Sequence, residues 1–186
     1  GGAFNNATLI NVLVEGNRGS SIGGIRLRGG YYDAVTLINV TTSNNLKTSG
    51  TDEFLGIAIE YAYTANIINC ILMDKLYVDD NYEPTINLAN TNTYGGVEFE
   101  LLVNANYISG NIALDPQFAD TSNGDYSLSA LSPCISAGTS SITITDDDGD
   151  DVEYTAPEDD VDGNPRPNPD GSLPDIGAYE SIYGVV

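Results

Sequence analysis

One phrase of apolar residues around an asparagine occurs three times in this chain. It reads Thr8-Leu9-Ile10-Asn11-Val12, Thr36-Leu37-Ile38-Asn39-Val40 and Asn66-Ile67-Ile68-Asn69-Cys70, with its isoleucines about 28 and 30 residues apart. The phrase is too short and too rich in β-branched residues for a helix, and such residues suit a pleated sheet. Recurrence at this period predicts an all-β fold, a coil of stacked parallel strands known as a parallel β-helix or β-solenoid.

Stacking the phrases predicts vertical files of equivalent residues. Ile10, Ile38 and Ile68 are expected in one interior file. A second file would hold Asn11, Asn39 and Asn69, whose amides can bond the backbone and each other. The alternative is that the phrases look alike only because asparagine is abundant. A second line of strands is predicted at Gly24–Leu27, Gly56–Ile59 and Thr85–Leu88, with alternate residues inside.

The repetition stops near residue 110, so we predict coils over residues 1–109 and a capping region over residues 110–186, packed on the last coil in one structural domain. Within that region, Ser141–Thr145 and Val152–Thr155 alternate like the strands of a β-hairpin, joined by the acidic loop Asp146–Asp151. The chain opens at Gly1 in the middle of a coil, so we expect another segment to precede this residue or to pack on it.

The final third carries a specific string of motifs. They are Asp115-Pro116-Gln117-Phe118, Gly124-Asp125-Tyr126-Ser127-Leu128, Ser132-Pro133-Cys134-Ile135, Asp162-Gly163-Asn164-Pro165-Arg166 and Asp175-Ile176-Gly177-Ala178-Tyr179-Glu180. This string resembles the C-terminal end of bacterial right-handed parallel β-helix proteins of the pectate-lyase-like superfamily, the segment known as a choice-of-anchor Q domain. The resemblance implies a right-handed coil and export to the cell surface or beyond. It implies no single activity, because the family is heterogeneous in function.

The charge balance restricts the partners. The chain has 27 acidic residues, 6 basic residues and a formal net charge of −21. Such a surface argues against binding to nucleic acid or anionic membranes, and against polyuronates unless metal ions intervene. The chain contains no histidine, which excludes histidine triads and histidine metal centres. No apolar run is long enough to span a bilayer, so no membrane insertion is expected.

Two constellations could bind a ligand. Asp146, Asp148 and Asp150 alternate at the hairpin tip and offer the hard oxygens that Ca²⁺ prefers, although the glutamate of an EF-hand is missing; the alternative is a solvated acidic loop. Arg26 and Arg28 project from one strand beside Tyr31 and Tyr32, where a sugar could stack on the rings. The alternative for these arginines is that they only balance an acidic surface.

Three further residues and a cysteine pair have predicted structural roles. Arg166 is expected to pair with Asp175 or Glu180 and so to tie the tail down. Cys70 and Cys134 could form a disulfide in an exported protein, or could remain two buried free thiols.

Three functions follow. The first is a non-catalytic extracellular structural or adhesive module, whose open coil ends could stack copies end to end into filaments. The second is the C-terminal piece of a secreted polysaccharide lyase or glycosidase. The third is a calcium-dependent carbohydrate-binding module. The predicted partners are therefore a second copy or a glycan, Ca²⁺ is the one candidate cofactor, and no residue is predicted to be catalytic.

Overall fold

The computed structural model describes residues 7–29, 34–49, 53–79, 81, 83–99, 103–146 and 148–186. Within these ranges the chain forms β-strands and one short 3₁₀ helix at Thr121–Asn123. The prediction of an all-β protein with parallel strands is confirmed. No helix in the described ranges is long and apolar enough to cross a membrane.

Two parallel sheets dominate the fold, and the chain alternates between them. The first sheet has the order β1 (Ala7–Glu15), β4 (Ala34–Ser43), β7 (Thr64–Ile68), β10 (Thr85–Ala89) and β12 (Asn104–Ser109), with β8 (Ile71–Leu72) also pairing with β4. The second sheet contains β3 (Ile25–Arg28), β6 (Glu53–Glu60), β9 (Lys75–Val78) and β11 (Val97–Phe99), in that order. Two short strands, β2 (Arg18–Gly19) and β5 (Leu46–Lys47), pair beside it. We call each passage through both sheets a repeat.

The register matches the recurring phrase. Ile10 pairs with Ile38, and Ile38 with Ile68, as vertical neighbours. These isoleucines nevertheless do not face the interior, so that prediction is wrong. The interior file is the neighbouring one, Leu9, Leu37, Ile67 and Leu88, because alternate residues of a strand point to opposite faces.

The core lies between the two sheets. Leu37 and Ile67 from the first sheet and Ile57 and Leu76 from the second are at most 1% exposed and belong to one cluster. On the other face of the first sheet, Ile38 and Ile68 are covered by the antiparallel hairpin β15 (Ser141–Thr145) and β16 (Asp151–Thr155). Ile10 has no such cover and is 46% exposed. Both faces of the first sheet are therefore buried over its central strands.

One strand of the predicted second line lies in the other sheet. Thr85–Leu88 was predicted in the second line of strands, but β10 belongs to the first sheet, where Leu88 pairs with Ile67. The predicted position is filled by β9, whose Leu76 pairs with Ile57. The repeats shorten after β7, because the chain makes only short connections on either side of β9.

The C-terminal region was predicted to pack on the last coil, and it contacts the other repeats as well. It lies along the side of the first sheet and reaches every repeat through contacts such as Asn11 with Asp159, Asn69 with Thr139 and Asn90 with Ala137. Within it, β13 (Phe118–Asp120) and β14 (Asp125–Leu128) form a second antiparallel pair. The edge of β12 is consequently left without a partner strand among the described residues.

Candidate functional site: a groove on the second sheet

A groove of about 170 Å³ runs across the outer face of the second sheet. Its floor is one file of outward-facing residues, Arg26, Ala58, Tyr77 and Glu98, contributed by the four successive strands. Its sides are formed by Ser21, Ile22, Lys47, Leu55 and Glu60. The groove therefore exists because the register places one residue of each repeat at the same height on the sheet.

The charges in this groove are paired. Glu60 accepts both arginines of β3, with Arg26 Nε 3.2 Å and Arg28 Nε 2.9 Å from its two carboxylate oxygens. Arg26 also donates to Ser21 Oγ at 3.0 Å. At the far end of the groove, Lys75 Nζ lies 2.8 Å from Glu98 Oε2. The two carboxylates are held by cations, which is unfavourable for a general base, since a base must release its partner to accept a proton.

Of the predicted sugar-binding residues, the structure places Arg26 in the groove and Arg28 outside its lining. Arg26 lines the groove, whereas the guanidinium of Arg28 lies 5.8 Å from the ring centre of Tyr61. Tyr31 and Tyr32 lie outside the described residues. Sequence reasoning missed Glu60 and Tyr77. Their signal was the register, since Arg28 aligns with Glu60 and Ala58 aligns with Tyr77.

The predicted asparagine file exists, but its main contacts are with the tail. Asn11, Asn39 and Asn69, together with Asn90, all have left-handed backbone with φ between 46° and 53°. Only one amide-to-amide bond joins them, from Asn69 Nδ2 to Asn39 Oδ1 at 3.4 Å. The other donations go to carbonyl oxygens of the C-terminal region, namely those of Asp159, Asp175, Gly177, Thr139 and Ala137.

A true amide ladder forms three residues earlier in the strands. Asn87 Nδ2 donates to Asn66 Oδ1 at 2.8 Å, and Asn106 Nδ2 donates to Asn87 Oδ1 at 3.0 Å. Asn66 in turn donates to Tyr154 Oη of the hairpin at 2.9 Å. Stacked asparagines satisfy one another here because the last three repeats present an amide at the same height, where the first two repeats have Thr8 and Thr36.

The tail contains a buried charged cluster around Arg166. Arg166 Nε lies 3.2 Å from Glu180 Oε2, but the angles of this ion pair are not those of a hydrogen bond. A terminal nitrogen of Arg166 donates to the carbonyl oxygens of Gly177 and Ala178. The carboxylate of Asp175 accepts the backbone N–H groups of Ser136 and Ser181 at 2.7 Å. Burial, with the nearby negative charge of Asp175, raises the pKa of Glu180 to about 7.

The two cysteines are buried free thiols, which is the second of the two alternatives that the sequence left open, and no disulfide joins them. Cys70 belongs to the core between the sheets, whereas Cys134 packs with Ile71 and Ile176 under the tail. Burial raises the pKa of Cys70 to about 12 and that of Cys134 to about 11. Both therefore remain protonated and poorly nucleophilic near neutral pH.

The acidic hairpin loop is organised by its own first carboxylate. Asp146 Oδ1 accepts the backbone N–H groups of Asp148 at 3.0 Å and Asp150 at 2.9 Å. Asp147 lies outside the described residues. Among the described residues, no group of three or more acidic or cysteine side chains is placed to hold a metal ion. Calcium binding by this loop stays a prediction, which a calcium titration with a melting-temperature readout tests.

Comparison with known proteins does not place this chain in a family. No protein-family model, no curated protein and no solved structure matches this chain significantly.

Proposed function

We propose that this chain is a right-handed parallel β-solenoid of the pectate-lyase-like kind, acting outside the cell as a non-catalytic structural and adhesive module. The solenoid is supported by the alternation of the chain between two parallel sheets, with equivalent residues in register from repeat to repeat. The extracellular assignment rests on the motif string of the final third.

The observation that carries the non-catalytic part is the ion pairing in the groove. Arg26 and Arg28 share Glu60, and Glu98 is held by Lys75. A lyase needs a basic side chain beside a cation, and a glycosidase needs two carboxylates in different protonation states. Paired groups of both signs instead offer hydrogen-bond donors and acceptors to a ligand that carries many hydroxyl groups.

The proposed ligand is a neutral glycan. Tyr77 occupies the centre of the groove file, between Ala58 and Glu98, and its half-buried side chain provides an apolar surface for a sugar ring. The formal net charge of −21 disfavours a polyuronate by long-range repulsion.

Isothermal titration with neutral and acidic oligosaccharides tests this proposal. Neutral glycans are expected to bind, and Tyr77→Ala is expected to weaken binding by about fivefold, since one aromatic contact contributes about 1 kcal/mol. Tyr183→Ala, which changes a 47% exposed tyrosine of the tail, is the matched control and should bind as the parent does.

Two results would overturn the proposal. Release of new reducing ends or of unsaturated sugars during incubation would make the protein an enzyme. Failure of all tested neutral glycans to bind, or equal binding by both tyrosine variants, would remove the groove as an adhesive site.

A further inference from the structure

The outer edge of strand β12 lacks the usual protection of an edge strand. Among the described residues, β12 pairs only with β10. Edge strands of soluble proteins commonly carry charges or prolines that prevent pairing with another chain. Residues 103–114 contain no charged residue and no proline, although the whole chain has 27 acids and 6 bases. The register shift beyond Tyr107 is a protective irregularity, but it leaves residues 104–107 regular, and these can therefore accept a further strand.

The backbone groups at this edge belong to Ala105 and Tyr107. On the side of β10, the N–H of Asn104 donates to the carbonyl oxygen of Pro84 at 2.8 Å. Successive residues of a strand direct their backbone groups to opposite sides, so Asn106 also faces β10, whereas Ala105 and Tyr107 face the free edge. The edge thus offers two N–H groups and two carbonyl oxygens. The side chain of Tyr107 adjoins them and is 57% exposed.

The side chain of Asn106 is the exposed end of the amide ladder. Its Nδ2 donates one hydrogen to Asn87 Oδ1 at 3.0 Å, and no other partner of this amide is found among the described residues. An amide carries two N–H hydrogens and an accepting oxygen, so the second hydrogen and Oδ1 remain at the edge. A second asparagine amide is the exact complement, because two amides can each donate to the other.

An antiparallel copy of β12 satisfies these groups when the two-fold axis passes beside Asn106. Asn106 then lies opposite Asn106 of the second copy, and Ala105 lies opposite Tyr107 of the second copy. Opposed residues whose backbone groups face each other exchange both hydrogen bonds, so the two such pairs make four bonds across the axis. On the interior face a small side chain meets a large one, in files that continue the fully buried Ile86 and Leu88.

We propose that two copies of this chain form a closed dimer by antiparallel pairing of their β12 strands, centred on Asn106. Two molecules with a formal net charge of −21 repel each other, and this uncharged stretch is where a second copy approaches at least cost. The contact is isologous, so it closes at two copies.

The symmetry has a consequence for the groove. The axis of an antiparallel pair is perpendicular to the sheet, so both copies keep the outer face of the second sheet on the same side of the dimer. A glycan surface is then met by two grooves at once, which raises the apparent affinity. This consequence rests on the proposed function, whereas the dimer itself does not.

Sedimentation equilibrium over a range of protein and salt concentrations tests the dimer on the 186-residue chain. The average mass is expected to rise with protein concentration and to level off at two copies. Added salt is expected to strengthen the dimer, because it screens the repulsion between two acidic molecules.

Two substitutions in β12 are expected to raise the dissociation constant at least about tenfold. Ala105→Pro removes an N–H at the free edge without removing a bond to β10. Tyr107→Lys replaces the exposed ring by a charge. Tyr183→Lys makes the same substitution at a 47% exposed tyrosine of the tail and should dimerise as the parent does. Each β12 variant is compared with the parent at a temperature where thermal unfolding shows both to be folded.

Cysteine cross-linking tests the register. Asn104 and Asn106 are both exposed and lie on the same face of β12. Opposed residues at the centre of the proposed pair have Cα atoms about 4.5 Å apart, within the range of about 4.4–6.8 Å that a disulfide spans. Asn106→Cys is therefore expected to form a covalent dimer on mild oxidation. Asn104→Cys is not, because its equivalent in the second copy lies four residues further along the strand.

Four results would overturn the proposal. They are a parent that stays monomeric at all concentrations, a mass that grows beyond two copies, dimerisation that neither β12 variant weakens, and equal cross-linking by the two cysteine variants. Glycan titration of the same proteins keeps the two proposals apart. A monomeric parent that binds neutral glycans removes only the dimer, and a dimeric parent that binds none removes only the groove.

Discussion

Replacing Asn69 tests whether the asparagine file holds the tail to the sheet. Asn69 is fully buried, and its side chain makes a reciprocal pair with the backbone of Thr139, donating to the carbonyl at 2.9 Å and accepting the N–H at 2.9 Å. Its backbone φ is 52°, a region that alanine adopts only with strain. Two separate costs are therefore expected on substitution, one from lost bonds and one from backbone strain.

The costs can be separated by comparing two variants. Asn69→Gly removes both bonds to Thr139 and the longer bond to Asn39 without strain, and it leaves two half-buried backbone groups of Thr139 without these partners, which costs about 2–4 kcal/mol of unfolding free energy. Asn69→Ala adds about 1–2 kcal/mol for the left-handed conformation, partly offset by about 0.5–1 kcal/mol because glycine loses more entropy on folding. We therefore expect alanine to be the less stable variant by roughly 0.5–1 kcal/mol.

Urea unfolding measures these differences, and limited proteolysis of the tail shows where they act. Both variants should release the segment around Thr139 to protease at lower urea concentration than the parent. Asn11→Ala is the matched control, because Asn11 lies in the same file but donates to only one tail carbonyl, that of Asp159. A loss below about 1 kcal/mol for Asn69→Gly, or greater stability of the alanine variant, would refute the reasoning.

Further predictions concern the tail and the hairpin. Gly138→Ala should destabilise the fold by a measurable shift in urea midpoint, because its Cβ would lie 2.7 Å from the carbonyl oxygen of Pro174; an unchanged midpoint would contradict this packing. Ile144→Ala should cost about 2–3 kcal/mol, since this 7% exposed side chain covers the outer face of the first sheet, and hairpin protection in hydrogen exchange should fall with it. With its pKa raised to about 7 from an ordinary 4.5, Glu180 keeps its proton longer in the folded state. The contribution of this proton to the free energy of unfolding is thus fully present below about pH 4.5 and is lost as the pH rises through about 7. The loss amounts to up to about 3 kcal/mol, and urea unfolding at a series of pH values should show it in the parent and not in Glu180→Gln. Arg166→Ala should lower the melting temperature by leaving buried carboxylates without their cation, and an unchanged melting temperature would contradict it.

Much of the architecture could be predicted because the recurring phrase combines residue types that favour strands with a regular spacing. The β-branched residues of each phrase favour strands. The asparagine after each isoleucine was predicted to recur in one file, and the structure adds that Asn11, Asn39 and Asn69 have left-handed backbone. The equal spacing placed these residues in register, and the pairing of Ile10 with Ile38 and Ile68 follows it.

The site was less accessible to such reasoning. Arg26 was identified, but its partner Glu60 lies 34 residues away in the sequence and nothing local indicates that the two meet. The shorter third repeat also hid Tyr77, because extending the earlier period of about 30 residues placed Thr85–Leu88 where β9 lies. A change of period is invisible when the connections that shorten carry no distinctive residues.

By itself the sequence determined most of the strands and the parallel stacking of the recurring phrase in files, because these depend on residue type and period. Only the tertiary structure decided which face of a strand is the interior. A period of two assigns alternate residues to opposite faces but does not say which face meets the second sheet. In this protein both faces of the first sheet are apolar, since Leu37 packs in the core while Ile38 is covered by the hairpin, and the distinction depends on where the distant tail comes to lie.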